Sequence, residues 1–508
     1  MGRTALRRIA MTKPPEVDYA DIQGIVRFGY GALTEALFIL LRIRDAASAR
    51  SWLASAPISN AVVLAKAPDA ALQVAFTCEG LGALGLNEDV LAGFSAEFNS
   101  GMSGDESRSR RLGDVGANSP QNWQWGGQNK EPHLVIMLYA RENQLDSWSQ
   151  AVRGPHWDNA FDLLDSLPTS NLFGVEPFGF KDGISQPTID WEQHRQVKGD
   201  ELAYGNLVSL GEFLLGYPNE YGKYTDRPLL PASKGASVLP AAEDNPALQD
   251  LGRNGTYLVF RQLAQDVRGF WQFMDQQANS DPQDRQKLAE AFVGRKQDGQ
   301  PLVELNDQPI EGIDKRDAAE NQFTFDSDRP GLRCPLGAHI RRANPRTTDL
   351  PGAANNVFSR LKHTLGFGET LYGEDVIAST RFHRLLRRGR EYGPALSIDE
   401  ALKSALPDDD DRGIHFISLG ANISRQFEFV QSAWLMSSKF AGLTGESDPL
   451  LGNREPIPGC PVTSSFSLAQ TDAAKRHINS VPQFIAVRGG AYFFMPGIRA
   501  LRFISGVR

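Results

Sequence analysis

The stretch Tyr257-Leu258-Val259-Phe260, followed by Val267, Phe270, Trp271 and Met274, decides how this sequence folds. Its first four residues are strand formers in an unbroken apolar run. The next four fall at i, i+3, i+4 and i+7, which puts them on one helix face. Three other segments repeat the pattern. Phe38-Ile39-Leu40-Leu41-Arg42-Ile43 leads into Ala46, Ala49 and Leu53, and Leu134-Val135-Ile136-Met137-Leu138-Tyr139 leads into Leu145, Trp148 and Val152. Ile414-His415-Phe416-Ile417-Ser418-Leu419 leads into Ile423, Phe427, Val430 and Trp434. Each unit has to bury a strand face and a helix face together. With two units per half and extra strands at Leu72 to Thr77 and Gln483 to Arg488, the pattern predicts an α+β protein of two halves, each with helices packed on an antiparallel sheet. A single mixed sheet is the alternative.

The 508 residues, 41% of them hydrophobic and 22% charged, describe a globular chain with room for a large core. Pro231 to Gly255 is rich in Pro, Ala and Ser and reads as the connecting loop, so the halves are expected at residues 18–240 and 250–508. Ser100 to Lys130 and Gln276 to Asn321 read as polar surface excursions, the first pinned to the body by Trp123 and Trp125. Against 53 Lys+Arg stand 61 Asp+Glu, a net charge of −8 that argues against a nucleic-acid backbone as partner. Three cysteines, Cys78, Cys334 and Cys460, are too few for a disulfide framework and read as small buried hydrophobes. Met1 to Met11 carries Arg3, Arg7 and Arg8 without the apolar run of a secretory signal, and Ala36 to Ile43 is far short of the ~20 residues of a membrane-spanning helix. The expectation is a cytoplasmic protein with no membrane span.

Three segments carry candidate chemistry. In Gly179-Phe180-Lys181-Asp182-Gly183-Ile184-Ser185-Gln186-Pro187 a carboxylate sits between aromatic residues and glycines. Its ordinary reading is a tight turn. Its functional reading is an acid-base group, with glycines admitting a ligand to the backbone and Phe178 and Phe180 excluding water. In Arg333-Cys334-Pro335-Leu336-Gly337-Ala338-His339-Ile340-Arg341-Arg342-Ala343-Asn344-Pro345-Arg346 one histidine follows small residues and precedes three arginines. That arrangement suits haem: an axial histidine for the iron, reached past Gly337 and Ala338, and cations for two propionates. A zinc site would need a second pair of ligands that the spacing does not supply. The plain alternative is a core histidine beside a solvated arginine face. In Phe382-His383-Arg384-Leu385-Leu386-Arg387-Arg388-Gly389 the arginines read as a basic surface turn, or as a pocket in which Arg387 stabilises a developing anion. No serine-hydrolase elbow, phosphate loop or dinucleotide fingerprint is present.

Together these segments resemble the dye-decolourising peroxidases in their longer-chain form. Asp182 sits in a Gly-x-x-Asp-Gly motif, His339 in a Cys-Pro-x-x-Ala-His-x-Arg segment, and Arg387 in Leu385-Leu386-Arg387-Arg388-Gly389. The resemblance implies two ferredoxin-like modules, with haem b in the second, one per chain, and Asp182 reaching it from the first half. It implies His339 as iron ligand, Asp182 as the acid-base group toward hydrogen peroxide, and Arg387 as the charge stabiliser. Arg341, Ile414 and Phe416 are expected around the haem, the last two because they alternate with His415 on one strand. Asn422 and Glu428 are the candidates to hold the other nitrogen of His339. Bulky dyes and phenols are expected to react at surface aromatics, with Tyr392 and Trp434 in plausible positions. Haem-iron removal, coprohaem decarboxylation and a haem carrier without turnover are the alternatives.

Overall fold

A computed structural model of the chain describes residues 16–193, 206–233, 235–304, 320–321, 323–346, 379–403, 411–456 and 460–506. The readings of Met1 to Met11, of most of the 305–321 stretch and of the last two residues lie outside the described residues.

The first half runs β1 (Glu35–Ile43), α1 (Ala46–Ser55), β2 (Ala70–Phe76), β3 (Leu134–Ala140), α2 (Leu145–Arg153) and β4 (Phe161–Pro168). The second runs β5 (Thr256–Gln265), α3 (Val267–Gln277), β6 (Leu386–Arg387) with β7 (Arg390–Tyr392), β8 (Gly413–Gly420), a helical segment at 424–435, and β9 (Ile485–Met495). Each half is βαββαβ. The spatial order is β4-β1-β3-β2 in the first and β9-β5-β8-β6 in the second, with β7 also on β8, and every pairing is antiparallel. Numbered within its own half, each sheet therefore reads 4-1-3-2, the ferredoxin-like arrangement expected from the sequence. The modules then meet edge to edge: β9 touches β2 through Phe494 and Phe76, which makes one nine-stranded antiparallel sheet rather than a mixed one.

Helices start where side chains can take the orphan amides of the first turn. Asp45 Oδ1 accepts from Ser48 N at 2.7 Å at α1, and Asp266 Oδ1 from Gly269 N at 2.8 Å at α3. Strands are long apolar runs because both faces of the sheet are buried. Ile39, Leu72, Val74, Ile136 and Leu138 pack under α1 and α2, while Phe38, Leu40, Val135, Met137 and Phe260 pack against Ile22, Ile25, Leu210, Phe213 and Leu214 from irregular segments. The expectation of one buried strand face per unit is corrected accordingly: coil covers the side that helices leave open.

Three other expectations change. Pro231 to Gly255 is more than a connecting loop, since Leu248–Asp250 pairs with Leu229–Pro231 and Ala236, Leu239 and Leu251 enter the core. The strand expected at Gln483 to Arg488 extends to Met495; a register shift between Val487 and Gly489 hides its continuity. Gly489 is glycine for a packing reason: a Cβ there would meet the Trp125 indole at 2.5–2.7 Å. The 100–130 excursion keeps much of its length exposed, as expected, and is pinned by the fully buried Trp123 and Trp125 and by Asp114 paired to Arg261. In the second excursion, Pro282–Val293 is a helix with Leu288, Ala289 and Phe292 buried. Among the described residues no helix is long and apolar enough to cross a membrane.

Candidate active site

A cavity of about 270 Å³ opens between the second module and the segment that follows β4. Asp182, His339, Arg387, Ile414 and Phe416 all line it.

The Asp182 loop is built on its glycines. Gly179 (φ +97°) and Gly183 (φ +75°) both adopt the left-handed region that side chains resist. The turn reading and the functional reading of this segment are thus compatible. Phe178 and Phe180 pack on α3, where Phe178 lies 4.5 Å from the Phe270 ring centroid and its carbonyl accepts from Trp271 Nε1 at 3.1 Å. Asp182 N donates to Gly174 O at 3.0 Å, and its Oδ1 accepts from Arg387 Nη1 at 2.9 Å. Burial pushes the Asp182 carboxyl up, but the Arg387 charge, the Gly183 amide, the Arg387 hydrogen bond and His339 outweigh it, so the net shift is downward.

Arg387 comes from β6, and the segment carrying Asp182 also grips that strand. Gln186 Oε1 accepts from Arg387 N at 3.0 Å while Gln186 Nε2 donates to Arg387 O at 3.1 Å. The remaining arginines of this basic run are not a surface turn. Arg388 donates to Ile25 O and Val26 O, and Arg390 donates to Tyr30 O and Leu33 O, so they fasten β6 and β7 to the coil layer.

His339 opens a short helix, α4 (His339–Ala343), and its side chain is 25% exposed, toward the cavity. Its Nδ1 lies 3.0 Å from Asp448 Oδ2, and Asp448 is fully buried, its Oδ1 accepting from Leu450 N and Leu451 N at 3.0 and 2.8 Å. A carboxylate at that distance makes Nδ1 the protonated nitrogen and leaves Nε2 the one with a lone pair to offer. Burial pulls the His339 pKa down, Asp448 pulls it up by charge and hydrogen bond, and the net shift is upward. Neither expected partner fills this place. Glu428 is committed to Arg108 and Tyr492, and Asn422 Oδ1 accepts from Arg425 N and Ser424 Oγ.

The arginines after His339 are also reassigned. Arg341, expected beside the cofactor, is 1% exposed and absent from the cavity wall; it donates to Cys334 O at 2.6 Å and Asp328 O at 2.9 Å and stacks on Phe325. Two residues along a helix is roughly 200° of rotation, so it leaves on the face opposite His339, whereas Ala343 at i+4 does line the cavity. Arg342 donates to Trp434 O and Ser437 O. Arg346 reaches the wall and donates to Asn321 O and Phe323 O. Gly337 and Ala338 do not open a path to the imidazole, since a Cβ on Gly337 would meet Phe466 at 3.3 Å and Ala338 is fully buried.

On β8 the alternation holds. Ile414 and Phe416 face the cavity, while His415 faces the other layer, stacked 4.4 Å from Tyr392 with Nε2 on Pro168 O. Tyr392 and Trp434 are each only 6% exposed, so neither is a surface aromatic. Trp434 lines the cavity with His383, whose ring stacks on Phe429 at 3.7 Å. Phe382, next to His383, stacks at 4.1 Å on Tyr221, which is 51% exposed.

The donor set fits haem. One imidazole nitrogen is held by a carboxylate and the other is left for a metal. The walls around it are apolar, with Ile340, Leu385, Leu435, Leu450 and Leu451. Polar groups suited to anionic carboxylates border the same space: Arg346, Arg384 and Thr380, whose Oγ1 is buried with no hydrogen-bond partner among the described residues.

No protein-family model matches the chain. A dye-decolorizing peroxidase of Mycetinis scorodonius is 27% identical over 516 residues, covering 97% of this chain and 88% of the relative. The crystal structure of a fungal DyP-type peroxidase from Auricularia auricula-judae superposes with a TM-score of 0.70 at 25% identity, covering 97% of this chain and all of that one. A dye-decolorizing peroxidase solved in complex with 2,6-dimethoxyphenol superposes equally well, TM-score 0.70 at 23% identity, with the same coverage of both chains.

Proposed function

We propose that the chain, similar over nearly its whole length to dye-decolorizing peroxidases, is a member of that family: a peroxidase holding one haem b and using hydrogen peroxide to oxidise dyes, phenols and similar aromatic donors. The observation that carries this reading is the pairing of two polar dyads on one cavity: His339 with Asp448, and Asp182 with Arg387.

Haem supplies the redox-active iron that peroxide oxidises. His339 offers Nε2 to that iron, and Asp448 fixes the ring's tautomer and raises its basicity as a ligand. Asp182 is ionised at working pH because Arg387 offsets its burial, so it accepts a proton from hydrogen peroxide and returns it to the departing oxygen as water forms. Arg387, positioned by Gln186, keeps the carboxylate aimed and presents its remaining N–H groups to the charge that develops as the O–O bond breaks. Phe178, Phe180, Ile414 and Phe416 restrict water, which strengthens those interactions.

Purified protein supplemented with haem should show a Soret band and should bleach an anthraquinone dye with peroxide at acidic pH. Protein that stays colourless after supplementation, or that releases free porphyrin or loses a porphyrin carboxylate in place of turnover, would overturn this reading.

A further inference from the structure

The same loop holds a second carboxylate that the mechanism above does not use. Glu176 lies on the cavity wall six residues before Asp182, and three N–H donors converge on it. Its Oε1 accepts from Phe180 N at 2.9 Å; its Oε2 accepts from Phe178 N at 3.0 Å and from Gln265 Nε2, on β5, at 2.8 Å. Its own backbone closes the turn, Glu176 N on Phe180 O and Glu176 O from Gly179 N, each at 2.8 Å. A site built of donors alone calls for a group that can accept at both of its end atoms, which the two oxygens of a carboxyl group do in either protonation state and an amide nitrogen does not. Phe178 and Phe180 bury their rings in α3, so the loop's apolar base is fixed; its amides, which set the direction of the following Lys181-Asp182-Gly183, are held by Glu176.

We propose that Glu176 is the positioning residue of the Asp182 loop: its carboxyl group gathers the Phe178 and Phe180 amides, ties them to Gln265 on β5, and so keeps Asp182 in register with Arg387. The latch is a matter of protein geometry, and only its kinetic consequence rests on the peroxidase reading.

The latch also titrates. Burial pushes the Glu176 carboxyl up, its three donors pull it down, and repulsion from Asp182 adds to the rise, leaving it at about 7. The charged and titratable groups on the cavity wall are Lys181 and Asp182 on its own loop, Arg261 on β5 with its partner Asp114, Arg295 after the Pro282–Val293 helix, His339 on α4, Arg346 beyond it, His383 and Arg384 before β6, and Arg387 on β6. A carboxyl raised above its ordinary 4.5 favours the closed loop fully below that value, and the advantage is lost as pH rises through about 7.

The test is Glu176→Gln in the haem-loaded full chain, with Gln265→Leu as a second variant that cuts the strut from the strand side. Hydrogen exchange of the peptide spanning 174–183, corrected for intrinsic rate, should quicken in both. In the parent it should quicken as pH passes 7, and in Glu176→Gln that dependence should vanish. The peroxide reaction of Glu176→Gln at pH 5 should slow roughly ten- to a hundredfold, the scale of a misplacement of about 1 Å, with haem retention unchanged. Unaltered exchange in both variants, or an alkaline limb near pH 7 that survives in Glu176→Gln, would overturn the latch. A parent without peroxide turnover would instead sink the peroxidase reading, and the exchange data would still decide the latch.

Discussion

Gln186 offers the sharpest test of how the Asp182 segment and Arg387 are joined. β6 is two residues long and lies at the sheet edge, paired to β8 only through Leu386 opposite Leu419 and Arg387 opposite Ser418. Its outer side would be an open edge were it not for Gln186, which accepts from Arg387 N and donates to Arg387 O. Gln186→Leu keeps the volume and removes both bonds. Each lost bond costs about 0.5–1.5 kcal/mol net, and more where a half-buried amide or carbonyl is left unsatisfied, about 1–3 kcal/mol. Only the Arg387 amide is left unsatisfied, since its carbonyl keeps Arg388 Nη1 at 3.2 Å, so one full penalty and one net bond give an expected loss of about 2–4 kcal/mol. Urea denaturation followed by fluorescence measures the stability, and hydrogen exchange at the Arg387 amide measures the local effect. The exchange protection of β6 should fall further than that of β5, which is central and paired on both sides. A loss below about 0.5 kcal/mol with unchanged protection at Arg387 would mean that β8 alone holds the strand, and that Gln186 does not position the arginine.

Two more outcomes follow from the paired dyads. Arg387→Met removes the charge that offsets burial at Asp182, so the carboxyl should rise above its ordinary 3.8, and the acid limb of the peroxide reaction, expected below that value in the parent, should move to higher pH; stopped-flow rates from pH 3 to 7 that keep the parent's limb would contradict this. The same reasoning fixes the sign for stability: Asp182 contributes above pH 3.8 and loses its contribution as pH falls through its lowered folded value, a dependence that Arg387→Met should weaken. Asp448→Asn leaves a neutral partner on His339 Nδ1 and should weaken haem retention about 10–100-fold, read by transfer to apomyoglobin, while the far-ultraviolet signature of the sheet is kept.

What could be read in advance followed periodicity, and what could not depended on contacts that periodicity does not encode. The four strand-helix units were legible because burial on both sheet faces gives β1, β3, β5 and β8 consecutive apolar residues, broken only by a few polar ones such as Arg261 and His415. The same fact hid the coil layer, since a strand buried on two faces does not state what covers the second. Ile414 and Phe416 were legible because strand alternation is local. Asp448 was not: it stands 109 residues from His339, in a turn with no repeating pattern, and its only mark is a carboxylate followed by Pro449. Arg341 was misread although the information was local. Composition drew attention to three arginines near a histidine, yet a helix starting at His339 turns its second successor away from the imidazole, so geometry should have outweighed charge. Gln186 lies between these cases: it sat inside a segment already singled out, but its role needs β6 beside it, 201 residues later. Residues that act on a group far away in sequence become visible only when the chain has closed: Gln186 completes the hydrogen bonds of β6, Asp448 holds the His339 ring, and Glu176 joins its own loop to Gln265.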